Sequence, residues 1–184
     1  MKNYAPNFTD RRIPDVLLAL QDFEQKYSKD EYYTEGFELI DDDQYGLSAW
    51  SKHPSFLDRL IPFAQADGTG SFYAIWINET QNLNQSPIVV FGSEGGCHIV
   101  ATHLLELLQL LSIDVEPMVD LDGVYYYRDE ENYEPSPNVR KYKKWLVQQY
   151  QLSSIYNNFE AERLVEKAQD QYQESFLDWM NQYL

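Results

Sequence analysis

The stretch from Leu60 to Ile77 constrains the fold more than any other part of the chain. It runs Leu-Ile-Pro-Phe-Ala-Gln-Ala, then Asp67-Gly68-Thr69-Gly70, then Ser-Phe-Tyr-Ala-Ile-Trp-Ile. Two apolar runs rich in aromatic and β-branched residues flank a turn sequence. That pattern predicts a β-hairpin whose strands are buried on both faces. A third apolar run, Pro87-Ile-Val-Val-Phe-Gly92, follows a polar loop and adds another strand. A glycine-rich turn from Ser93 to Gly96 leads into a leucine-rich segment, Val100 to Leu111. There Val100, Leu104, Leu107, Leu108 and Leu111 share one helical face, as expected of a helix packed on the sheet.

Asp67-Gly68-Thr69-Gly70 has a superficial likeness to a phosphate-cradling loop or an aspartic-protease signature. A dinucleotide fingerprint places three glycines between a strand and a helix, whereas this turn enters a strand. An aspartic protease needs a second catalytic carboxylate from a second similar lobe, and no other Asp-Gly-Thr/Ser copy exists. The expected role is structural: Asp67 caps the turn, and Gly68 or Gly70 supplies a positive φ.

Upstream, Ile13, Val16, Leu17, Leu20, Phe23 and Tyr27 mark one face of an amphipathic helix, with Pro14 at its tolerated first turn. Short apolar pieces follow at Phe37–Ile40 and Tyr45–Trp50, separated by Asp41, Asp42 and Asp43. Ser112 to Glu134 carries eight acidic residues against Arg128 alone and contains Tyr125-Tyr126-Tyr127, which reads as a partly extended surface segment. Two amphipathic helices close the sequence. The first has an apolar face of Val139, Tyr142, Trp145, Leu146 and Gln149; the second carries Ala161, Leu164, Val165, Ala168, Tyr172, Phe176, Trp179 and Tyr183. Helix, antiparallel strands and helices make an α+β protein: a core over 1–113, and an acidic segment with a helical extension over 114–184 packed on it.

Pro-Phe-Ala, the Asp-Gly-Thr-Gly turn, the aromatic strand, Pro-Ile-Val-Val-Phe-Gly and Ala101-Thr-His-Leu-Leu-Glu-Leu-Leu108 together resemble the SUKH superfamily, clearly so from Leu60 to Leu111. That group holds the fungal Smi/Knr cell-wall regulators and many bacterial immunity proteins. The resemblance implies a mostly antiparallel sheet with flanking helices and a binding function without catalysis.

Charge narrows the partner. Fourteen basic against thirty acidic side chains leave a net charge of -16. Nucleic acid and anionic membrane surfaces are disfavoured, and a basic protein partner is favoured. The N-terminus lacks the apolar core of a signal peptide, and no apolar run approaches the ~20 residues that span a bilayer. A cytoplasmic location is therefore expected.

The chemistry-bearing residues form no convincing catalytic set. Ser93, Cys97 and His98 lie close in sequence, yet neighbours on an extended segment face opposite ways, and a small buried role suits Cys97. A single cysteine excludes an internal disulfide, and His98 and His103 stand five apart, off the spacing of a helical metal pair. No cofactor, no metal and no enzymatic activity are expected. The expected function is that of an immunity protein occluding a cognate toxin, a nuclease among the candidates. Its acidic aromatic surface would comprise Asp41, Asp42, Asp43 and Tyr45, then Asp122, Tyr125, Tyr126, Asp129 and Glu130. A Smi/Knr-like regulatory scaffold for signalling or cell-wall-synthesis proteins is the alternative.

Overall fold

The computed structural model describes residues 5–8, 11–27, 31–40, 46–79 and 82–184. Five strands, β1 (Glu38–Leu39), β2 (Leu60–Gln65), β3 (Phe72–Trp76), β4 (Ile88–Phe91) and β5 (Cys97–Ala101), form one antiparallel sheet in sequence order. Helices α1 (Ala5–Phe8) and α2 (Asp15–Tyr27) precede it, and α3 (Leu47–Trp50) and α4 (Pro54–Asp58) lie between β1 and β2. After β5 come α5 (Leu104–Leu110), a 3-10 turn (Leu111–Ile113), a small hairpin of β6 (Met118–Val119) and β7 (Val124–Tyr125), then α6 (Val139–Tyr150) and α7 (Asn158–Met180). This is the α+β arrangement that the apolar patterning predicts.

Strands β2 to β5 are apolar on both sides, and successive residues sort onto opposite faces. Ile61, Phe63, Tyr73, Ile75, Ile88, Val90 and Val100 face one layer, built from α2, α5, α6 and the start of α7. Leu60, Phe72, Ala74, Trp76, Val89, Phe91, Cys97 and Ile99 face the other, covered by α3, α4 and the C-terminal half of α7. On that side Phe72 stacks on Phe91 at 5.0 Å, and Trp76 meets Phe176 edge-on at 5.2 Å. Pro62 sits in β2 where the register shifts between Pro62 and Ala64, since a proline without an N–H fits a bulge within a sheet.

The hairpin turn is built around Asp67. Its Oδ1 accepts from the backbone N–H groups of Thr69 (2.8 Å), Gly70 (3.0 Å) and Ser71 (3.0 Å) and from the Thr69 hydroxyl (2.8 Å). Burial alone would raise this carboxyl's pKa, but the hydrogen bonds from Ser71 and Thr69 outweigh it and hold the value below the ordinary range. Gly70 carries the positive φ, at 113°; Gly68 does not.

One boundary and one helix face differ from the periodicity reading. Val100 and Ala101 belong to β5, not to the leucine-rich helix, which begins at Leu104. His103 caps it by accepting from the Glu106 N–H at 3.2 Å, while Glu106 reaches back to the Thr102 N–H at 2.6 Å. Gln149, counted on the apolar face of α6, is exposed.

Helix α7 is tied down by polar contacts as well as apolar ones. Lys167 donates to Glu106 at 2.6 Å; burial would raise the Glu106 carboxyl, and this ion pair with the Thr102 bonds brings it below its usual value. Gln173 occupies the outer edge of β5. Its Oε1 accepts from the Ile99 N–H at 2.7 Å, and its Nε2 donates to the Cys97 carbonyl at 3.2 Å. One amide thus covers edge groups that would otherwise recruit another strand.

Gly70→Val should cost about 1–3 kcal/mol, because a β-branched residue is strained at that φ. Gly68→Val, with nothing within 4 Å of an added Cβ, should stay within about 0.5 kcal/mol. Paired chemical denaturation curves check the contrast; equal effects would contradict the turn geometry.

Candidate functional site

The acidic segment after the 3-10 turn is fixed to the core through its polar residues. Asp114 is buried with a left-handed backbone, φ 67°, and its carboxylate is fully engaged. Oδ1 accepts from the Glu35 N–H (2.8 Å) and the Ser136 hydroxyl (2.6 Å); Oδ2 accepts from the Tyr133 hydroxyl (2.6 Å) and the Ser136 N–H (2.9 Å). Burial, then the charges of Asp114 and Glu116, raise the Glu35 carboxyl's pKa. Arg128 is the cationic counterpart, buried with its guanidinium 4.6 Å over the Tyr133 ring. It donates to Glu130 (2.8 Å), to the Ile113 carbonyl (3.1 Å) and to the Tyr156 carbonyl (2.5 Å).

Between these anchors the β6–β7 hairpin turns tightly. The Asp120 N–H donates to the Gly123 carbonyl at 3.0 Å, and Asp120 Oδ1 accepts from the N–H groups of Asp122 and Gly123, each at 2.8 Å. The hairpin rests on the β4–β5 turn, where His98 Nε2 bonds to the Asp120 carbonyl oxygen at 2.8 Å. Gly96 has φ 79°, and a Cβ there would stand 1.8 Å from that same oxygen. The glycine-rich turn therefore makes room for the backbone of the neighbouring hairpin.

The three consecutive tyrosines divide by strand alternation. Tyr126 is a correction to the expected binding surface: it is buried, and its hydroxyl lies 3.0 Å from that of Tyr73 inside the core. Tyr125 and Tyr127 are exposed, and Met118, the cross-strand partner of Tyr125, is exposed beside it. Tyr125 and Tyr127 line a groove of about 320 Å³ between the hairpin and the first half of α7. Its far wall is α7, with Asn158, Glu162, Glu166 and Gln169 around the buried Val165. Asp122 stands at the hairpin end.

The groove is acidic without compensation. Asp122, Glu162 and Glu166 line it, no lysine or arginine does, and neither glutamate has a hydrogen bond or ion pair among the described residues. Glu162 and Glu166 are four apart on one helix face, where like charges cost about 0.2–0.5 kcal/mol. A cation placed there would reverse that cost.

The other expected contact residues fare differently. Asp129 and Glu130 are exposed yet committed internally: Asp129 accepts from Glu131 N–H (3.1 Å) and Asn132 Nδ2 (2.6 Å), and Glu130 pairs with Arg128. Asp41, Asp42, Asp43 and Tyr45 lie outside the described residues. Tyr127, Glu162 and Glu166 went unrecognised in the sequence. Their signal was present in the alternation about Tyr126 and in the i,i+4 acidic pair on the polar face of α7.

A larger cleft, about 960 Å³, lies near Arg11, Arg12 and Arg59. Its guanidinium groups are already engaged: Arg11 with Asp58 at 2.9 Å, Arg12 with Asp15 at 2.9 Å, and Arg59 with the Ile77 carbonyl at 2.7 Å. Three carboxylates, Asp15, Asp58 and Glu79, balance the three cations that line it.

The nucleophile and base candidates have structural work. His53 caps α4 by accepting from the Ser55 N–H at 3.2 Å, His103 caps α5, and His98 holds the hairpin. The Cys97 thiol sits 3.4 Å from the Met180 sulfur, and burial pushes its pKa up to about 12. Among the described residues, no group of three or more His, Cys, Asp or Glu is placed to hold a metal ion, and no helix is long and apolar enough to cross a membrane. Comparisons of the chain with protein-family models, with curated proteins and with solved structures found no match.

Gly96→Ala should unseat the hairpin, because the obstructing atom is backbone and cannot swing away. The expected loss is at least about 2 kcal/mol, with faster amide hydrogen exchange across Met118–Tyr125. An unchanged melting temperature with unchanged exchange would contradict this contact.

Proposed function

We propose that this chain is a protein-binding module without enzymatic activity, an immunity protein that neutralises a cognate basic toxin by covering its active site. The carrying observation is the hairpin–α7 face, where exposed Tyr125 and Tyr127 adjoin three carboxylates that no lining cation neutralises. Aromatic anchors surrounded by charge are what a protein interface uses: the rings contribute buried contact area, and the charges speed and select the encounter. The net charge of -16 extends that preference to the whole molecule. The structural engagement of His53, His98, His103 and Cys97 supports a role other than nucleophilic or acid–base chemistry. The resemblance of the Leu60–Leu111 motifs to SUKH proteins contributes the specific reading of immunity.

The face suits occlusion because it is held rigidly. Asp114, Arg128 and the Tyr73–Tyr126 contact fix the hairpin to the core, so little ordering entropy opposes binding. At physiological ionic strength the field of the carboxylates reaches about 8 Å, enough to orient a basic cleft at close approach.

Binding kinetics with the co-purifying partner test this reading. Association should slow by about ten-fold or more between low and physiological salt, and Asp122→Asn with Glu162→Gln and Glu166→Gln should slow it further without lowering the melting temperature. Association that ignores both salt and the triple substitution would overturn the proposal.

A further inference from the structure

We infer that the groove between the β6–β7 hairpin and α7 is a receptor for one arginine side chain of the partner. This inference rests on the protein-binding reading above and gives that surface its central contact.

Three features of the groove point to a guanidinium. Its size, about 320 Å³, suits a single long side chain and is small for a folded segment. Its hairpin wall offers the rings of Tyr125 and Tyr127, and a planar cation stacks on tyrosine faces with an attraction that grows as water is excluded. Its helical wall offers Glu162 and Glu166, one turn apart and without a partner among the described residues, as acceptors for the five N–H donors of a guanidinium fork. Lysine brings a compact, strongly hydrated charge that neither stacks nor bridges two carboxylates as well, so arginine is the better occupant.

Gly123 sets the ring position. A Cβ at that residue would stand 2.9 Å from the Tyr125 hydroxyl oxygen and 3.1 Å from its Cζ, so the ring lies folded against the bare backbone. Any side chain at 123 pushes Tyr125 aside. The obstructing atoms belong to the end of a flexible side chain, so the fold tolerates the change while the groove wall does not. Gly123 is in this sense a positioning residue for the aromatic wall.

The test is an NMR titration of the whole chain, at low salt, with Nα-acetyl-arginine amide, its lysine counterpart, and the citrulline isostere that keeps the shape and loses the charge. Arginine amide should shift the resonances of Tyr125, Tyr127, Glu162 and Glu166, with lysine weaker and citrulline weaker by about ten-fold or more. Glu162→Gln with Glu166→Gln should abolish the shifts, and Gly123→Ala should weaken them several-fold while the melting temperature holds. Equal binding of citrulline, tighter binding of lysine, or shifts scattered over the other acidic surfaces would overturn the inference. The titration uses no macromolecular partner. A groove that ignores the arginine probe therefore overturns this inference alone, while salt-indifferent association with the natural partner overturns the immunity reading alone.

Discussion

A sheet that is apolar on both faces must be covered on both faces, and nearly everything else in this structure follows from that requirement. Every residue of β3, β4 and β5 is buried, and in β2 only Gln65 is half-buried. Helices α2, α5 and α6 with the start of α7 supply one layer. The other depends on Phe176, Trp179 and Met180 near the far end of the chain, where Trp179 stacks on Phe56 at 5.7 Å. Helix α7 also carries Gln173 to the open edge of β5. Its buried face is therefore fixed by the sheet, and its polar face is left to meet solvent or another molecule. The orientation of Glu162 and Glu166 is a consequence of where Val165 and Ala168 must be buried.

The chain between α5 and α6 solves a different problem. It is too polar to pack as a core element, and it is held instead by buried polar hubs whose partners are complete. Asp114 collects four donors, and Arg128 bridges the 3-10 turn to the segment before α7. A buried charge left unpaired costs several kcal/mol, so these hubs specify one arrangement of the hairpin strongly. That rigidity makes the outward tyrosines a formed surface.

The strands and long helices were legible in the sequence because their signal is periodic burial. Leu60–Ile77 read as a buried hairpin, and Ala161, Leu164, Val165, Ala168, Phe176 and Trp179 marked the buried face of α7. What escaped was decided by tertiary contact. Asp114 looks like one acid among eight until Ser136 and Tyr133 surround it, and Tyr126 looks like its two neighbours until Tyr73 meets its hydroxyl. Val100 continued a helical pattern, yet it lies in β5, at the register shift between the Val89–Ile99 and Ile88–Ala101 pairs. Half of the groove was visible as Asp122 and Tyr125; the other wall comes from some forty residues downstream, a pairing that no local pattern encodes.

On the proposed reading, a basic partner docks on the hairpin–α7 face. Amide hydrogen exchange on the chain, alone and in complex with its co-purified partner, tests this most directly. Slowed exchange is predicted across residues 118–127 and 158–169, with strands β2 to β4 unchanged because they are already protected in the core. Protection confined to the cleft around Arg11, Arg12 and Arg59, with the hairpin and α7 exchanging as in the free chain, would contradict it.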